Sequence, residues 1–444
     1  MMIDNQIHTL ERLRAGKLAG ITRLDLSCGL TEFPVEIFDL ADSLEVLNLT
    51  GNALSRLPED LYRLKHLRVL FCSENRFTEL PASIGQCLQL QIVGFKANQI
   101  RDVPAQALPP LLRWLILTDN CIEALPDALG ACSALQKLML AGNRLQQLPE
   151  SLAACEQLEL VRIAANRLTE LPDWLLKLPA LAWLAYAGNP LAVSPAETPI
   201  RQIPWEHLQV QQQLGEGASG VIQQALWQRR ENQSMPVAIK LYKGSITSDG
   251  SPLNEMSACI AAGVHPQLIE VQGQIAEHPQ AQVGLVMQLI APSFSNLAGP
   301  PSLESCTRDI YASGTRFSLS VALRLACGIA SVAEHLHAGG ICHGDLYGHN
   351  ILWDEDGDCL LGDFGAASFY PTANTAQAQA LERVEVRAFG ILLGELLARC
   401  DPAPAEWLLD LKSRCTHPDV LARPSFAQVH GELRACDTVQ CIHP

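Results

Sequence analysis

The sequence predicts two domains of different construction: a repeat solenoid with a parallel sheet through the first half, then a separate folded domain without repeats. Three observations carry this. Asparagines recur at Asn52, Asn75, Asn98, Asn120, Asn143, Asn166 and Asn189, always 22 or 23 residues apart, and a fixed period of that length is the mark of stacked repeats. The period ends after Asn189, where Pro190, Pro195, Pro199 and Pro204 follow in a stretch that cannot be regular helix or central strand. The chain has 444 residues, 48% of them hydrophobic, too long for one ordinary core and apolar enough for two.

In the first half, each Asn closes a phrase of the L-x-L-x-x-N type, as in Leu47-Asn48-Leu49-Thr50-Gly51-Asn52, and through Asn166 a Pro follows six residues later (Pro58, Pro81, Pro104, Pro126, Pro149, Pro172). A degenerate first copy, Leu24-Asp25-Leu26-Ser27, leads to Pro34. This pattern resembles the leucine-rich repeat. Each unit offers a short strand whose Leu pair points inward and cannot be buried by one unit alone. Stacking buries it, and the Asn side chain bonds backbone groups where the chain turns. Residues 1–20 are expected to form an amphipathic cap around Ile7–Leu18, residues 21–192 seven to eight repeats, and residues 193–204 a Pro-rich linker. Cys87, Cys132 and Cys155 fall at one equivalent repeat position otherwise held by Leu64, so they are expected to pack as small core hydrophobes. The outward strand positions make an apolar strip that includes Phe71, Trp114, Ile116, Met139 and Trp183. Such a strip is expected to dock a protein partner or the chain's own second domain.

The chemistry lies in the second half. Gly215, Gly217 and Gly220 form G-x-G-x-x-G within Gln213–Ile222, and Val221–Leu226 continues as a strand. A dinucleotide-binding turn would instead open a helix. A hairpin of this kind lets backbone N–H groups approach phosphates closely. Val237-Ala238-Ile239-Lys240 reads as a buried strand ending in one of only three lysines after residue 204 (Lys240, Lys243, Lys412). Cys342-His343-Gly344-Asp345 runs on to Asn350, and Asp363-Phe364-Gly365 begins 18 residues after Asp345.

In this order and spacing these motifs resemble those of protein kinases. The resemblance covers residues 205–436, with a tail at 437–444. The fold class is then an α/β leucine-rich-repeat solenoid followed by a bilobal α+β protein-kinase fold. The resemblance implies ATP and Mg²⁺ as cofactors. By the same likeness Lys240 contacts phosphates and pairs with Glu255, Asp345 takes the acceptor's proton, and Asn350 and Asp363 hold Mg²⁺. Leu214 and Ile222 flank the glycine loop; Ile222, Ala238 and Leu352 would sandwich the adenine, with Met287 behind it. Arg423-Pro424-Ser425-Phe426 resembles a late signature of the family. The expected activity is Ser/Thr-directed protein phosphorylation.

The sequence departs from the family at several positions. Gly344 stands where an Arg is usual, and Tyr347 where Ser/Thr kinases keep a Lys. Glu385, in Glu385–Gly390, replaces an Asp only 22 residues after Asp363, and no Ala-Pro-Glu is present. Glu382 is a candidate partner for Arg423. Ser368, Thr372 and Thr375 are candidate phosphorylation sites. Two alternatives therefore stay open: a nucleotide-binding pseudokinase or scaffold acting through its repeat surface, and a small-molecule phosphotransferase, which the His343-Gly344-Asp345 frame also resembles.

The formal charge is −15, and residues 204–444 carry 14 Lys+Arg against 25 Asp+Glu, so nucleic acid is not an expected partner. The fifteen cysteines show no zinc spacing and fit a reducing compartment. We see neither an apolar stretch of membrane-spanning length nor a secretory signal in the first twenty residues. The expectation is a cytoplasmic protein without a membrane partner, export into another cell being left open.

Overall fold

The computed structural model describes residues 8–191, 199–230, 233–244, 246–373, 375–401 and 404–440, the last five of these for backbone only. Ile7 and the first half of the expected linker, residues 193–198, lie outside the described residues. The chain divides into two compact units, Met1–Val161 with Asn166–Ala180, and Arg162–Ala165 with Leu181–Pro444. Two short pieces of the repeat region thus fold with the second half.

The repeat region opens on α1 (Leu10–Arg14), capped by Thr9, whose hydroxyl accepts from Arg12 N at 3.2 Å. Eight three-residue strands follow in parallel: β1 (Arg23–Asp25), β2 (Val46–Asn48), β3 (Val69–Phe71), β4 (Ile92–Gly94), β5 (Trp114–Ile116), β6 (Lys137–Met139), β7 (Leu160–Arg162) and β8 (Trp183–Ala185). The central Leu or Val of each strand is buried. The asparagine period has a direct structural cause. Asn75 Nδ2 donates to Leu49 O of the preceding repeat (2.9 Å) and Cys72 O of its own (3.1 Å), while Oδ1 accepts Leu54 N (2.9 Å). Asn98 repeats the pattern one turn later, on Cys72 O and Phe77 N. One side chain thereby satisfies buried backbone groups of two repeats at once. The residue before each of these asparagines has positive φ: Gly51, Gly142 and Gly188, but also Glu74, Ala97, Asp119 and Ala165. Outside glycine that conformation is strained. Cys87, Cys132 and Cys155 are buried as expected, and burial pushes the Cys87 thiol up to about 12.

The second unit holds a six-stranded sheet in the order β10-β11-β12-β14-β13-β9: β9 (Gln202–Pro204), β10 (Leu208–Glu216), β11 (Gly220–Arg230), β12 (Gln233–Tyr242), β13 (Val271–Ala276) and β14 (Gly284–Gln288). The edge strand β9 tolerates Pro204 because an edge needs no second ladder partner. Helix α2 (Pro252–Ala261) begins at Ser251, whose hydroxyl accepts from Leu253 N, with Pro252 in the first turn. Below come β15 (Ser295–Asn296), α3 (Leu319–Ala338), β16 (Ile341–Cys342), β17 (Ile351–Trp353), β18 (Cys359–Leu361), β19 (Ser368–Phe369), α4 (Ala376–Leu397), α5 (Glu406–Cys415) and α6 (Phe426–Gln440).

The expectation that no stretch reaches membrane-spanning length needs correcting. Among the described residues one helix, α3, is long and apolar enough by length and composition. Its apolar residues, Leu323, Leu325, Ile329, Val332 and Leu336 among them, are buried in the second unit, where the helix packs against α4 and α6.

Candidate active site

The upper wall of the site is the β10–β11 hairpin, paired Gly215 with Ile222 and Glu216 with Val221. At its tip Gly217 N donates to Gly220 O (2.9 Å). The three glycines are not equivalent. A Cβ at Gly220 would lie 2.5 Å from Leu241 O on β12, whereas one at Gly215 or Gly217 would meet nothing within 4 Å. Gly220 is therefore demanded by strand packing, while the other two leave open space over the site. Lys243 braces the tip, its Nζ donating to Glu216 Oε1 (2.8 Å) and Gly217 O (3.0 Å).

β12 places Lys240 between Ile222 on one side and Leu285 on the other. Its ammonium pairs with Glu255 on α2, whose side chain is buried. Burial alone would lower the Lys240 pKa, but the Glu255 charge and hydrogen bond outweigh it and hold the value above its usual one. Ile222, Lys240, Glu255, Met287, Asp363 and Phe364 line one cavity.

The floor is the loop between β16 and β17. Asp345 N donates to His343 Nδ1 (3.3 Å), and the same ring bonds Gly362 O through Nε2 (2.9 Å) and packs on Phe364. Asn350 Nδ2 donates to Asp345 O (2.9 Å) and Asp345 Oδ2 (2.8 Å). Asp363 stands at φ 51° with its Oδ1 accepting Gly365 N (3.1 Å), the kind of strained backbone that gathers at functional sites. Below the loop, Glu385 on α4 accepts His343 N (3.1 Å) and Gly344 N (2.6 Å) and pairs with His337 (2.7 Å). Burial by itself would raise this carboxyl, but His337, the His343 ring and the Gly344 N–H together hold it at about 2.

Two family models match the chain: protein tyrosine and serine/threonine kinase over residues 208–390, and leucine-rich repeat over residues 43–64. A probable serine/threonine-protein kinase of Dictyostelium discoideum is 24% identical over 282 residues, which cover 51% of this chain and 28% of that protein. The tyrosine-protein kinase receptor TYRO3 of Gallus gallus is 23% identical over 266 residues, covering 50% of this chain and 30% of the receptor. The transforming growth factor beta activator LRRC32 of Pongo abelii is 37% identical over 126 residues, covering 27% of this chain and 18% of that protein. The chain thus spans less than a third of the length of each of these relatives. It carries a protein-kinase domain preceded by leucine-rich repeats.

Within the kinase domain the residues singled out from sequence fall into three groups. Ile222, Lys240, Glu255, Met287 and Asp363 meet in the cavity, beneath the hairpin of Gly215, Gly217 and Gly220. Asp345 and Asn350 are hydrogen-bonded to each other, and Gly362 N ties the strand before Asp363 to Asn350 O (2.9 Å). Leu214, Ala238 and Leu352 do not line the cavity. Leu214 is 46% exposed on β10, and Ala238 is buried opposite Met287 in the sheet.

Two expectations are corrected. Trp183 does not face a separate partner, as one branch of the expectation had it, but packs on the chain's own second half: it is 1% exposed, stacked on Tyr347 at 4.2 Å between ring centroids and donating from Nε1 to Leu346 O (3.1 Å). Ser368 is not an accessible phosphorylation site, being buried on β19 with its hydroxyl accepting Tyr186 N (3.0 Å). Thr372 is exposed, and so is Thr375, which caps α4.

Several residues of the site were not singled out from sequence. Arg162 pairs with Asp345 and with Asp249 (2.7 Å) and donates to Gly344 O (2.9 Å). Its only signal was a charge in a largely apolar strip. Asp309 accepts His349 N (3.0 Å) and bonds its ring (2.7 Å), fixing the loop one residue before Asn350. That hydrogen bond and the Asp309 charge outweigh burial and raise the His349 pKa. Asp309 lies 40 residues away in an irregular segment, where no spacing rule points to it.

Proposed function

We propose that the second unit is an ATP- and Mg²⁺-dependent protein kinase directed at Ser or Thr, with the repeats recruiting protein. One observation carries the reading. The buried Lys240–Glu255 pair and Asp363 share the walls of a single cavity under an open glycine hairpin. Lys240 is thereby positioned for phosphate oxygens. The donors suit Mg²⁺: Asp363 offers a carboxylate, and Asn350 uses its Nδ2 on Asp345, leaving Oδ1 for a cation. Oxygen donors in this number complete a shell only with phosphate oxygens and water, the usual habit of Mg²⁺.

Phosphoryl transfer asks mainly for positioning and charge neutralisation. Mg²⁺, when bound, supplies part of that neutralisation. Asp345, oriented by Asn350, accepts the hydroxyl proton as the acceptor oxygen bonds to the γ-phosphorus and the bond to the bridging oxygen of ADP breaks. Glu385 fixes the backbone of that loop. On the repeats, Phe71, Trp114, Ile116 and Met139 remain part-exposed, which supports a protein-binding role for this face. Within it Trp114 sits beside Lys137 (4.4 Å) and Met139 (3.1 Å from Nε1). Cys72, Cys87, Cys132, Cys155 and Cys259 are buried as free thiols, which supports a reducing, cytoplasmic setting.

A second reading, a nucleotide-binding scaffold without transfer activity, is favoured by the pairing of Arg162 with Asp345. Labelled Mg-ATP separates the two. Label transferred by the wild type to itself or to a generic protein, and lost in Asp363→Ala and Lys240→Met, supports the kinase, and mapping the labelled residue identifies the hydroxyl class. Nucleotide binding without any transfer selects the scaffold.

A further inference from the structure

The carboxylate that should receive the acceptor's proton is already occupied. Arg162 contacts Asp345 through Nη2, Asp249 Oδ1 through Nε (2.7 Å) and Gly344 O through Nη1 (2.9 Å). A guanidinium presents five N–H donors in a fixed fork, and here all three nitrogens face protein oxygens while the side chain is 1% exposed. Arg162 therefore has no free face to lend to a phosphate group.

The neighbouring residues close over the rest of the loop. Trp183 lies flat on Tyr347, 6° from coplanar. Tyr186 bonds Ser368 Oγ through its backbone N–H and Phe369 O through its hydroxyl. A Cβ at position 344 would stand 2.7 Å from Leu184 O and 2.6 Å from Ala366 O. Gly344, at φ +73°, is thus the residue that admits the Leu184 carbonyl, and Tyr347 gives Trp183 its stacking surface. The two positions at which the catalytic loop departs from the usual kinase pattern both lie against this segment. None of Arg162, Trp183, Leu184 or Tyr186 lines the nucleotide cavity.

Resting on the kinase reading, we propose that Arg162 and the 183–186 segment form a built-in brake, a strap that holds Asp345 and shuts out the protein acceptor while leaving the nucleotide pocket open. The ligand that would compete with it is a protein segment presenting its hydroxyl to Asp345. In the braked state the chain binds Mg-ATP and transfers phosphate slowly.

The test uses the full chain, with casein as acceptor, labelled Mg-ATP, and a fluorescent ATP analogue to read nucleotide affinity separately. Arg162→Gln is expected to raise the initial rate of casein labelling at least tenfold and to change the nucleotide Kd less than twofold. Asp249→Asn removes one anchor of the guanidinium at a side chain that is 30% exposed. It is expected to shift the rate in the same direction by a smaller factor. An Arg162→Gln protein that keeps its Tm and nucleotide affinity but labels casein at or below the wild-type rate overturns the brake and makes Arg162 a positioning residue instead. If Arg162→Gln fails to fold, Asp249→Asn decides by the same criterion. Nucleotide binding with no labelling by any of the three proteins refutes the kinase reading itself, and the brake falls with it.

Discussion

Glu385 offers the most direct quantitative check on how the catalytic loop is held. Its carboxylate accepts two consecutive backbone N–H groups, His343 and Gly344, and pairs with His337. Held from 4.5 down to about 2, it contributes roughly 3 kcal/mol at neutral pH, at about 1.4 kcal/mol per pH unit. Because the folded pKa lies below the unfolded one, this contribution is full above pH 4.5 and is lost as pH falls through 2. Glu385→Gln removes the charge and turns an amide donor toward groups that also donate, so at pH 7 it is expected to destabilise the second unit by at least that amount. For a domain of this size the loss corresponds to a Tm fall on the order of 6–12 °C. Thermal unfolding followed in parallel for wild type and variant from pH 7 to pH 3 is the assay. By pH 3 about half of the charge-dependent gap should have closed. A gap of constant size across that range would show that Glu385 acts by shape alone and would refute the electrostatic account.

Two further outcomes are expected. Gly220→Ala forces a Cβ to within 2.5 Å of the Leu241 carbonyl, so it should weaken binding of a fluorescent ATP analogue at least tenfold, whereas Gly215→Ala, with nothing within 4 Å, should cost less; equal losses would remove the steric argument. Burial and the nearby Asp309 raise Glu395 to about 7 from 4.5. The folded state therefore holds that proton more tightly, and stability falls as pH rises from 4.5 to 7. Glu395→Gln keeps an acceptor for Tyr311 and should stabilise the unit by roughly 2–3 kcal/mol at pH 8 and by nothing at pH 4, as read by urea unfolding at the two pH values.

What was legible in the sequence was whatever a local rule enforces. The asparagine period was visible because one side chain must bridge two adjacent repeats, which fixes the spacing. Lys240 was visible because a strand pattern ended in a rare cation, and the Asp345–Asn350 and Asp363–Gly365 motifs because short loops must bring several donors together. What could not be read were contacts with no sequence spacing. Arg162 and Asp345 are 183 residues apart, and His349 meets an Asp from an irregular segment. The apolar strip on the repeats was readable as a strip, but not where it ends. Trp183 occupies the same repeat position as Trp114, yet only Trp183 stacks on Tyr347. Repeat position alone cannot distinguish them.

The charges around Asp345 bear on function more than on stability. A buried guanidinium with two partly buried carboxylates loses solvation that their attraction only partly restores, and apolar side chains of similar volume often do as well or better. Stability therefore gives little reason to place Arg162 there. Tyr347 points the same way: its hydroxyl is buried without a hydrogen-bond partner, a destabilising feature offset by a flat aromatic contact with Trp183. A nucleotide site that had simply decayed would not be expected to keep Lys240, Glu255 and Asp363 around one cavity, with the lysine–glutamate pair intact. On the proposed reading, an intact cavity around Lys240, Glu255 and Asp363 beside a covered Asp345 is the arrangement required if phosphate transfer is to be withheld until a protein displaces the cover.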